Sequence, residues 1–444
     1  MKPLPICVLA NLLGKAHSSQ NLVRGAAIDS RLVKADDVFF ALPGQHVDGH
    51  AFLSEVAKKH AALAIVHESY HGDPGLPLLH VADVQATLHE LAHIMLKKSS
   101  SKVIAITGSV GKTTTKEFAK TLLSSNYSVF ASPRSYNSQA TLPLSILLAD
   151  GNEDFLILEM GMSEPGQIAK LVKTAPPDVA LLTTVALQHV DLFPDGLAGI
   201  AREKAAIFSH EKTKLGLIHH EMPFFDMAFK SGSCPKKTFS YLSPEADFYM
   251  EMRKGCVIVY PKGDAPIQLH PTLPIKVYHQ NLTAAIALAR YLEVPWSLIQ
   301  EAVYSLKLPA MRFEKVELSG ITFINDAYNA NPDAMKAALE SLPKPKAGGK
   351  TIAVLGEMNA LGIYAEGGHA SVAQSALNYA DLLLSLGGHC LTMKRIWDEN
   401  KKPAEHFENR SSLEEYLIKV AKPGDVVLLK GSRALALDEV LKRF

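Results

Sequence analysis

The stretch Thr107-Gly108-Ser109-Val110-Gly111-Lys112-Thr113-Thr114-Thr115 has the residue types and spacing to hold a polyphosphate. An apolar β-type run, Val103 to Ile106, leads into it, and a helix-compatible run, Lys116 to Leu123, follows. The expected layout is strand, glycine loop, helix. Gly108 and Gly111 let backbone N–H groups close around phosphate oxygens, and the start of the helix adds positive potential. Lys112 is placed to reach the outer phosphates, and the Thr113 hydroxyl to ligate Mg²⁺. The string is a shortened form of G-x-x-x-x-G-K-[ST], because Ile106 stands where the first glycine would be.

Five further residues could do chemistry with a bound polyphosphate. Glu159 ends the apolar run Phe155 to Met162 and offers oxygen to Mg²⁺, a cation that prefers oxygen ligands. His189 follows the strand-like run Asp178 to Thr184, and Lys204 lies on the helix after it. Arg312 and Asp326 come much later in the chain. Taken singly, each has an ordinary reading: a surface acid, a structural histidine, a solvated lysine, a surface arginine, and a capping carboxylate. Their order along the chain is what matters below.

The elements that must position them form an α/β chain. With 444 residues, length alone suggests about three domains. Hydrophobic residues make up 47% and charged residues 20%, enough for each domain to build a core. The net charge of +1 gives no basic excess for a nucleic-acid backbone. The four cysteines, Cys7, Cys234, Cys256 and Cys390, match no zinc or disulfide spacing, which fits a reducing cytoplasm. No apolar run is long enough to span a bilayer, so membrane insertion is not expected. The apolar stretch to Leu13 is interrupted by Pro3, Pro5 and Asn11 and reads as a short strand or helix of the first domain, not as a leader.

Residues 1–97 read as a small α/β domain, with strands at 37–42 and 62–66, a turn-rich 43–50 stretch and a helix over 52–60. Residues 98–309 read as a central, parallel, doubly wound sheet around the phosphate loop, with helices ending at Leu148 and spanning 279–291. Within it, 232–264 reads as a hairpin insert. Residues 310–444 read as a second doubly wound, Rossmann-like unit without its own phosphate loop, with strands at 321–324, 351–358, 381–386 and 425–430 and a closing helix.

The ordered set resembles the Mur ligase family, the ATP-dependent amino-acid or peptide ligases of peptidoglycan synthesis. It comprises the phosphate loop, Glu159-Met160-Gly161-Met162, His189, Lys204, Arg312 and the string Asp326-x-Tyr328-Asn329-Ala330-Asn331-Pro332. The resemblance covers essentially the whole chain. Tyr328 to Pro332, Gly356-Glu357-Met358-x-x-Leu361-Gly362 and Lys430-Gly431-Ser432-Arg433 are most similar to the members that join a dipeptide, D-alanyl-D-alanine, to UDP-N-acetylmuramoyl-tripeptide. Asp29-Ser30-Arg31 and Asp48-Gly49-His50 resemble the UDP-sugar-binding domain.

The resemblance implies a role for each position. Gly108, Ser109, Val110, Gly111, Lys112, Thr113 and Thr114 would hold the ATP phosphates, with Asn137 near the γ-phosphate. Thr113 and Glu159 would serve one Mg²⁺, and His189 and Lys204, the latter as a carbamate, a second. Arg312 and Asp326 would reach the nucleotide from the third domain. Tyr328, Asn329 and Asn331 would face the dipeptide, and Asp29, Ser30, Arg31, Asp48, Gly49 and His50 the UDP-sugar. The family's H-N-x-x-N reads His279-Gln280-Asn281-Leu282-Thr283 here, so adenine would meet His279, Gln280 or Asn281. Its G-N-x-N reads Arg134-Ser135-x-Asn137, and the acid two residues after the lysine is Ala206. The expectation is a cytoplasmic, monomeric ligase that works through an acyl phosphate. Two readings compete with it: a family member adding a single diamino acid, and a phosphate-loop ATPase that moves a partner.

Overall fold

The computed structural model describes residues 2–44, 47–273 and 278–444, so Gln45 and His46 of the turn-rich stretch lie outside the described residues. Three sheets dominate. The first has four parallel strands in the order Gly25–Ala27, Asp37–Phe40, Leu63–His67, Leu78–Val81. A small antiparallel pair, Leu4–Pro5 with Leu22–Val23, and the helix Ile6–Leu12 precede it.

The central sheet has nine strands. Lys102–Thr107 lies inside it, between Phe155–Glu159 and Val179–Leu182, and all three are parallel. Its side chains are buried on both faces. Val103 and Ala105 enter one apolar core, and Ile104 and Ile106 enter the other. A continuous apolar run is what a parallel strand covered on both faces requires. After Lys102–Thr107 the chain builds strands on one side, Val129–Ala131 and Phe155–Glu159, and then crosses to Val179–Leu182 on the other. That reversal opens a crevice at the carboxyl ends of the strands, where doubly wound folds bind ligands. The phosphate loop stands in it.

The third sheet runs in the order Glu314–Leu318, Ile321–Asn325, Val426–Lys430, Thr351–Gly356, Leu382–Leu386, Ala404–Phe407, with only the first pair antiparallel. The two apolar cores are shared between units. One joins the first sheet to a face of the central sheet through Leu88, Leu91, Leu142 and Leu158. The other joins the opposite face to the third sheet through Leu282, Met335 and Met358.

One expectation changes. Residues 232–264 are not a separate insert. Lys236–Ser240 and Phe248–Arg253 continue the central sheet in parallel, and the hairpin of Phe248–Arg253 with Cys256–Pro261 forms its edge together with Ile267–Leu269. Phe239, Phe248, Met250, Val257 and Val259 carry the sheet's core out to that edge. The closing helix is present and is of the 3₁₀ type, Arg433–Leu435 followed by Leu437–Arg443. Buried Leu437 and Val440 are three apart, the repeat of a 3₁₀ turn. Among the described residues no helix is long and apolar enough to cross a membrane.

The joint between the first and central units contains a buried histidine. Asp83 caps the helix Val84–Lys98 through the N–H of Ala86. On that helix, His89 Nδ1 lies 2.6 Å from Thr174 Oγ1 of the central unit. Burial and the charge of Lys170 push the His89 pKa down to about 4. As pH falls from about 6.5, the unfolded chain takes up a proton that the folded chain refuses until about pH 4. His89 therefore contributes its full stability above about pH 6.5 and loses it across that window, by up to about 3 kcal/mol. Urea midpoints measured from pH 7 to pH 4 should fall, and His89→Gln should flatten that slope. An unchanged slope in the variant would assign the acid sensitivity elsewhere.

Candidate active site

The phosphate loop is shaped by contacts around it. Gly111 ends the loop at φ +87°, and a side chain there would run into the amide of Asn281. Gly108, at φ +148°, leaves no room for a Cβ against Thr183. The Thr183 hydroxyl donates to the Val110 carbonyl at 2.6 Å. Ser109 holds the next strand end, with Oγ donating to Ala186 O and accepting from Ala186 N, both at 2.9 Å. Asn281 Nδ2 donates to Gly111 O and to Thr115 Oγ1, each at 3.1 Å. The helix His279–Tyr291 thus packs on the loop's own helix, Lys112–Leu123, and braces the loop from behind. Gln280 donates to Thr183 O, and His279 lies on the rim beside Met252 and Tyr241.

Glu159 is fully buried at the end of its strand. Its carboxylate accepts from Thr113 Oγ1 at 3.0 Å and from Asn137 Nδ2 at 2.9 Å. Ser135 Oγ lies 2.9 Å from the Thr113 hydroxyl. Asn137, expected near the γ-phosphate, and Thr113 and Glu159, expected at the first cation, therefore form one oxygen-rich cluster beside the loop, which His189 and Lys204 do not join. Lys112 Nζ donates to Gly108 O at 2.7 Å, so its ammonium rests on the loop. Burial holds its pKa below the usual lysine range, against the attraction of Glu159, and Arg312 adds to the lowering.

His189 caps a short turn, Val190–Leu192, with φ +55°. Burial first, then Lys204 and Lys112, lower its pKa. Lys204 is 2% exposed, and among the described residues no hydrogen bond or ion pair reaches its ammonium. Burial, reinforced by Lys112, pushes its pKa well below the lysine value. Its neighbour Glu203 points away and accepts the backbone N–H groups of Gly166 and Ile168, both at 2.7 Å.

The third sheet supplies the opposite wall. Arg312 stacks over the Tyr328 ring at 4.2 Å, and Asp326 Oδ1 accepts the N–H of Phe313 at 3.1 Å. A cavity of about 170 Å³ is lined by Lys112, Glu159, Asn137 and Asn281 from the central unit and by Arg312 and Asp326 from the third. Tyr328, Asn329 and Asn331 line it too. A wider cavity of about 1160 Å³ adjoins it at Thr113, Arg312 and Tyr328 and is also lined by Arg134 and Arg433. Asn331 has a structural duty as well. It is the N-cap of the helix Pro332–Glu340, with Oδ1 accepting from Ala334 N at 2.8 Å.

The first unit holds its candidates apart from this cleft. Asp48 Oδ1 lies 2.6 Å from His50 Nδ1, and the N–H of His67 donates to His50 Nε2 at 3.0 Å, so the ring proton sits on Nδ1 facing the carboxylate. Both line a cavity of about 580 Å³ with Tyr70 and Ser69. Gly49 packs directly on the backbone of Ala41 and Leu42. Asp29 and Arg31 pair with each other at 2.6 Å on the surface, and Ser30 Oγ donates to Glu55 at 3.3 Å.

Two lysines escaped the sequence reading. Lys116 is wholly buried, donates to Ser132 O at 2.6 Å and to Arg134 O, and lies 3.7 Å from Glu159. Lys430 is 2% exposed, donates to Asp326 Oδ2 at 2.6 Å and to Asn329 O at 3.1 Å. Lys430 begins a string already singled out, which was a usable signal; Lys116, one turn into the helix, offered none.

Comparison with known proteins places this geometry. Residues 22–95 match the Mur ligase family catalytic domain, 106–289 the Mur ligase middle domain, and 311–433 the Mur ligase glutamate ligase domain. The chain is 30% identical to the UDP-N-acetylmuramoyl-tripeptide–D-alanyl-D-alanine ligase of Bacillus subtilis, over 97% of this chain and 95% of that protein. The chain belongs to the Mur ligase family. It is 31% identical to the ligase of the same name from Treponema pallidum, over 94% of this chain and 92% of that one. The crystal structure of MurF ligase from Thermotoga maritima in complex with ADP superimposes with a TM-score of 0.77 at 28% identity, over 95% of this chain and 97% of that chain. A MurF structure from Acinetobacter baumannii, 22% identical, shares the fold with a TM-score of 0.85 over 100% and 98% of the two chains. As a Mur ligase the protein is an ATP-dependent, amide-bond-forming enzyme.

Within this Mur ligase the Lys116 network can be tested by itself. Lys116→Met would strip Glu159 of its buried counter-charge and leave two carbonyls unpaired. Urea unfolding should show a loss of about 3 kcal/mol. A loss under about 1 kcal/mol would mean that the pair behaves as an exposed one.

Proposed function

We propose that this enzyme joins D-alanyl-D-alanine to UDP-N-acetylmuramoyl-tripeptide with ATP, giving the UDP-muramoyl-pentapeptide used in cell-wall biogenesis. The reaction belongs in the cytoplasm and serves cell shape, cell division and the cell cycle. The observation that carries the reading is the shared cavity. Lys112 and Glu159 from the central sheet and Arg312, Asp326 and Tyr328 from the third sheet line one narrow space. The likeness over the full chain to ligases of that name adds to it.

In the first step the terminal carboxylate of the tripeptide attacks the γ-phosphate, forming an acyl phosphate and ADP. In the second, the dipeptide amine attacks the acyl carbonyl, and phosphate leaves from a tetrahedral intermediate. Two anions must meet first, so cancelling their repulsion is the main catalytic task. Lys112 exchanges its bond to Gly108 for the phosphates, and the loop N–H groups and Arg312 hold the nucleotide. The wider cavity, with Arg134, Arg312 and Arg433, suits the acidic acceptor and the dipeptide carboxylate. Walls from two sheets shield the acyl phosphate from water.

Mg²⁺ fits the oxygen cluster of Thr113 and Glu159 and, when bound, neutralises charge on the transferring phosphate. Among the described residues no three His, Cys, Asp or Glu side chains converge as a closed cage, so phosphate oxygens and water would complete its coordination. Phosphate release, measured with UDP-muramoyl-tripeptide and either D-alanyl-D-alanine or single amino acids, tests the assignment. Turnover should require the dipeptide. Ligation of a diamino acid to UDP-muramoyl-dipeptide instead would assign the protein to the diamino-acid-adding members. Lys112→Ala should abolish turnover, at least a hundredfold, while leaving the circular-dichroism melt in place.

Lys204 as carbamate forms part of the same reading. An ammonium would repel a second Mg²⁺, but burial lowers the Lys204 pKa and so favours the neutral amine, which can add CO₂ and release a proton, giving an anion with oxygen donors. Lys204→Ala should lose most activity and regain part of it with a short carboxylic acid in the buffer. Lys204→Arg should stay inactive. Full activity in Lys204→Arg would rule the carbamate out.

A further inference from the structure

The string Gly356-Glu357-Met358-Asn359-Ala360-Leu361-Gly362 has no part in the mechanism above, yet the fold gives it a specific neighbour. It follows the strand Thr351–Gly356 of the third sheet and crosses to the turn that carries His189. The N–H of Val190 donates to the carbonyl of Ala360 at 3.1 Å. His189 and Ala360, on the two sides of that bond, both hold left-handed conformations, at φ +55° and +58°. The approach is close. A Cβ on Gly362 would stand 3.2 Å from Asp191 Cβ and 3.3 Å from its Cα. A Cβ on Gly196 would stand 3.2 Å from the Tyr364 hydroxyl oxygen.

The loop is stiff on its own side. Glu357 O accepts the N–H of Ser432 at 2.9 Å, and its carboxylate accepts the N–H of His389 at 2.8 Å. The N–H of Asn359 donates to Ser432 Oγ at 2.8 Å. The N–H of Met358 donates to Nε2 of the buried His369 at 3.0 Å. The His189 turn is held more lightly, by the N–H of Leu192 to His189 O at 3.4 Å and the N–H of Phe193 to Val190 O at 3.0 Å. It is a single 3₁₀ turn whose cap makes no side-chain bond.

We propose that the 357–362 loop positions His189, with the Ala360 carbonyl fixing the turn that presents the imidazole beside Lys204. The inference rests on the reading of His189 and Lys204 as holders of the second divalent cation. Ala360 is a positioning residue and touches no substrate. By this device the cation site is complete only while the third unit is docked on the central one, so the cation is held only in the arrangement that also shields the acyl phosphate.

The test uses the full-length protein with ADP and Mn²⁺. Ala360→Val puts a β-branched residue at a positive φ that it resists, shifting the carbonyl, whereas Ala360→Gly adopts that φ freely. Gly362→Ala forces the two loops apart by a different route. Amide hydrogen exchange of the 188–193 segment reads the docking, and Mn²⁺ titration followed by electron paramagnetic resonance reads the sites. Ala360→Val and Gly362→Ala should each speed exchange and weaken the second Mn²⁺ about tenfold, a larger loss than either shows for ADP, with Ala360→Gly like wild type. Faster exchange with an unaltered second Mn²⁺ would overturn the positioning role, and wild-type exchange in both variants would overturn the docking. A wild-type protein that binds a single Mn²⁺ would overturn the cation reading and this inference with it, and the exchange data would still report the docking separately.

Discussion

A carboxylate without solvent must be paired or hydrogen-bonded, since leaving it bare costs several kcal/mol. Glu159 is such a group, and the site is arranged by how its need is met. Thr113 approaches from the start of the phosphate-loop helix, Asn137 from the segment after Val129–Ala131, and Lys116 from one turn deeper in the helix. These bonds tie two separate segments, the phosphate-loop helix and the stretch around Asn137, to one strand end. The glycine loop is held between fixed points, although its own backbone is permissive. Lys116 serves two further carbonyls, which locks the 132–135 stretch against the same helix.

A second knot does comparable service on the opposite wall. Lys430, Gly431 and Ser432 leave the middle of the third sheet and touch both of its active loops. Lys430 holds Asp326 and the Asn329 carbonyl, while Ser432 holds Glu357 and Asn359. Gly431 lets the strand ends come together, for a Cβ there would lie 3.0 Å from Gly356 Cα. The nucleotide-facing loop and the His189-facing loop therefore share one anchor. Displacing that anchor would disturb both contacts with the central unit together.

The strand–loop–helix core and the mostly parallel central and third sheets were legible because they rest on local rules: apolar runs of strand length, glycines before Lys-Thr, and an alanine-rich run bounded as the helix His279–Tyr291 is. The edge of the central sheet was misjudged because Phe248–Arg253 and Cys256–Pro261 look like an independent hairpin until their buried partners are known. Lys116 was illegible for a deeper reason. A lysine one turn into a helix reads as solvated, and only tertiary approach adds two carbonyls and the Glu159 carboxylate to the neighbouring Glu117, 3.1 Å from its ammonium. Asn331 was read for a substrate role alone, and its second duty as the N-cap of the helix Pro332–Glu340 went unread although Asn before Pro is a helix-start signal. Asp29 and Arg31 satisfy each other at the surface, a pairing their spacing of two left open.

The charges left over say what the cleft is for. Burial lowers the pKa of Lys112, Lys204 and His189; Lys112 adds to the lowering at Lys204 and His189, Lys204 adds to it at His189, and Arg312 acts on Lys112 from across the gap. Gathering cations in a buried place costs stability, and nothing in the fold needs it. Glu159 answers part of that charge, but its lone pairs are shared with Thr113, Asn137 and Lys116. What remains, around Lys112 and Arg312, is a positive potential bounded by apolar sheets, where a triphosphate gains most from few contacts. Such a field also binds water and small anions, so the wall from the third sheet has a thermodynamic use beyond shielding an intermediate. By narrowing the gap it lowers the local dielectric and makes each charge count for more. The electrostatic cost of holding these groups together and the affinity of the cleft for a polyanion are then one and the same energy.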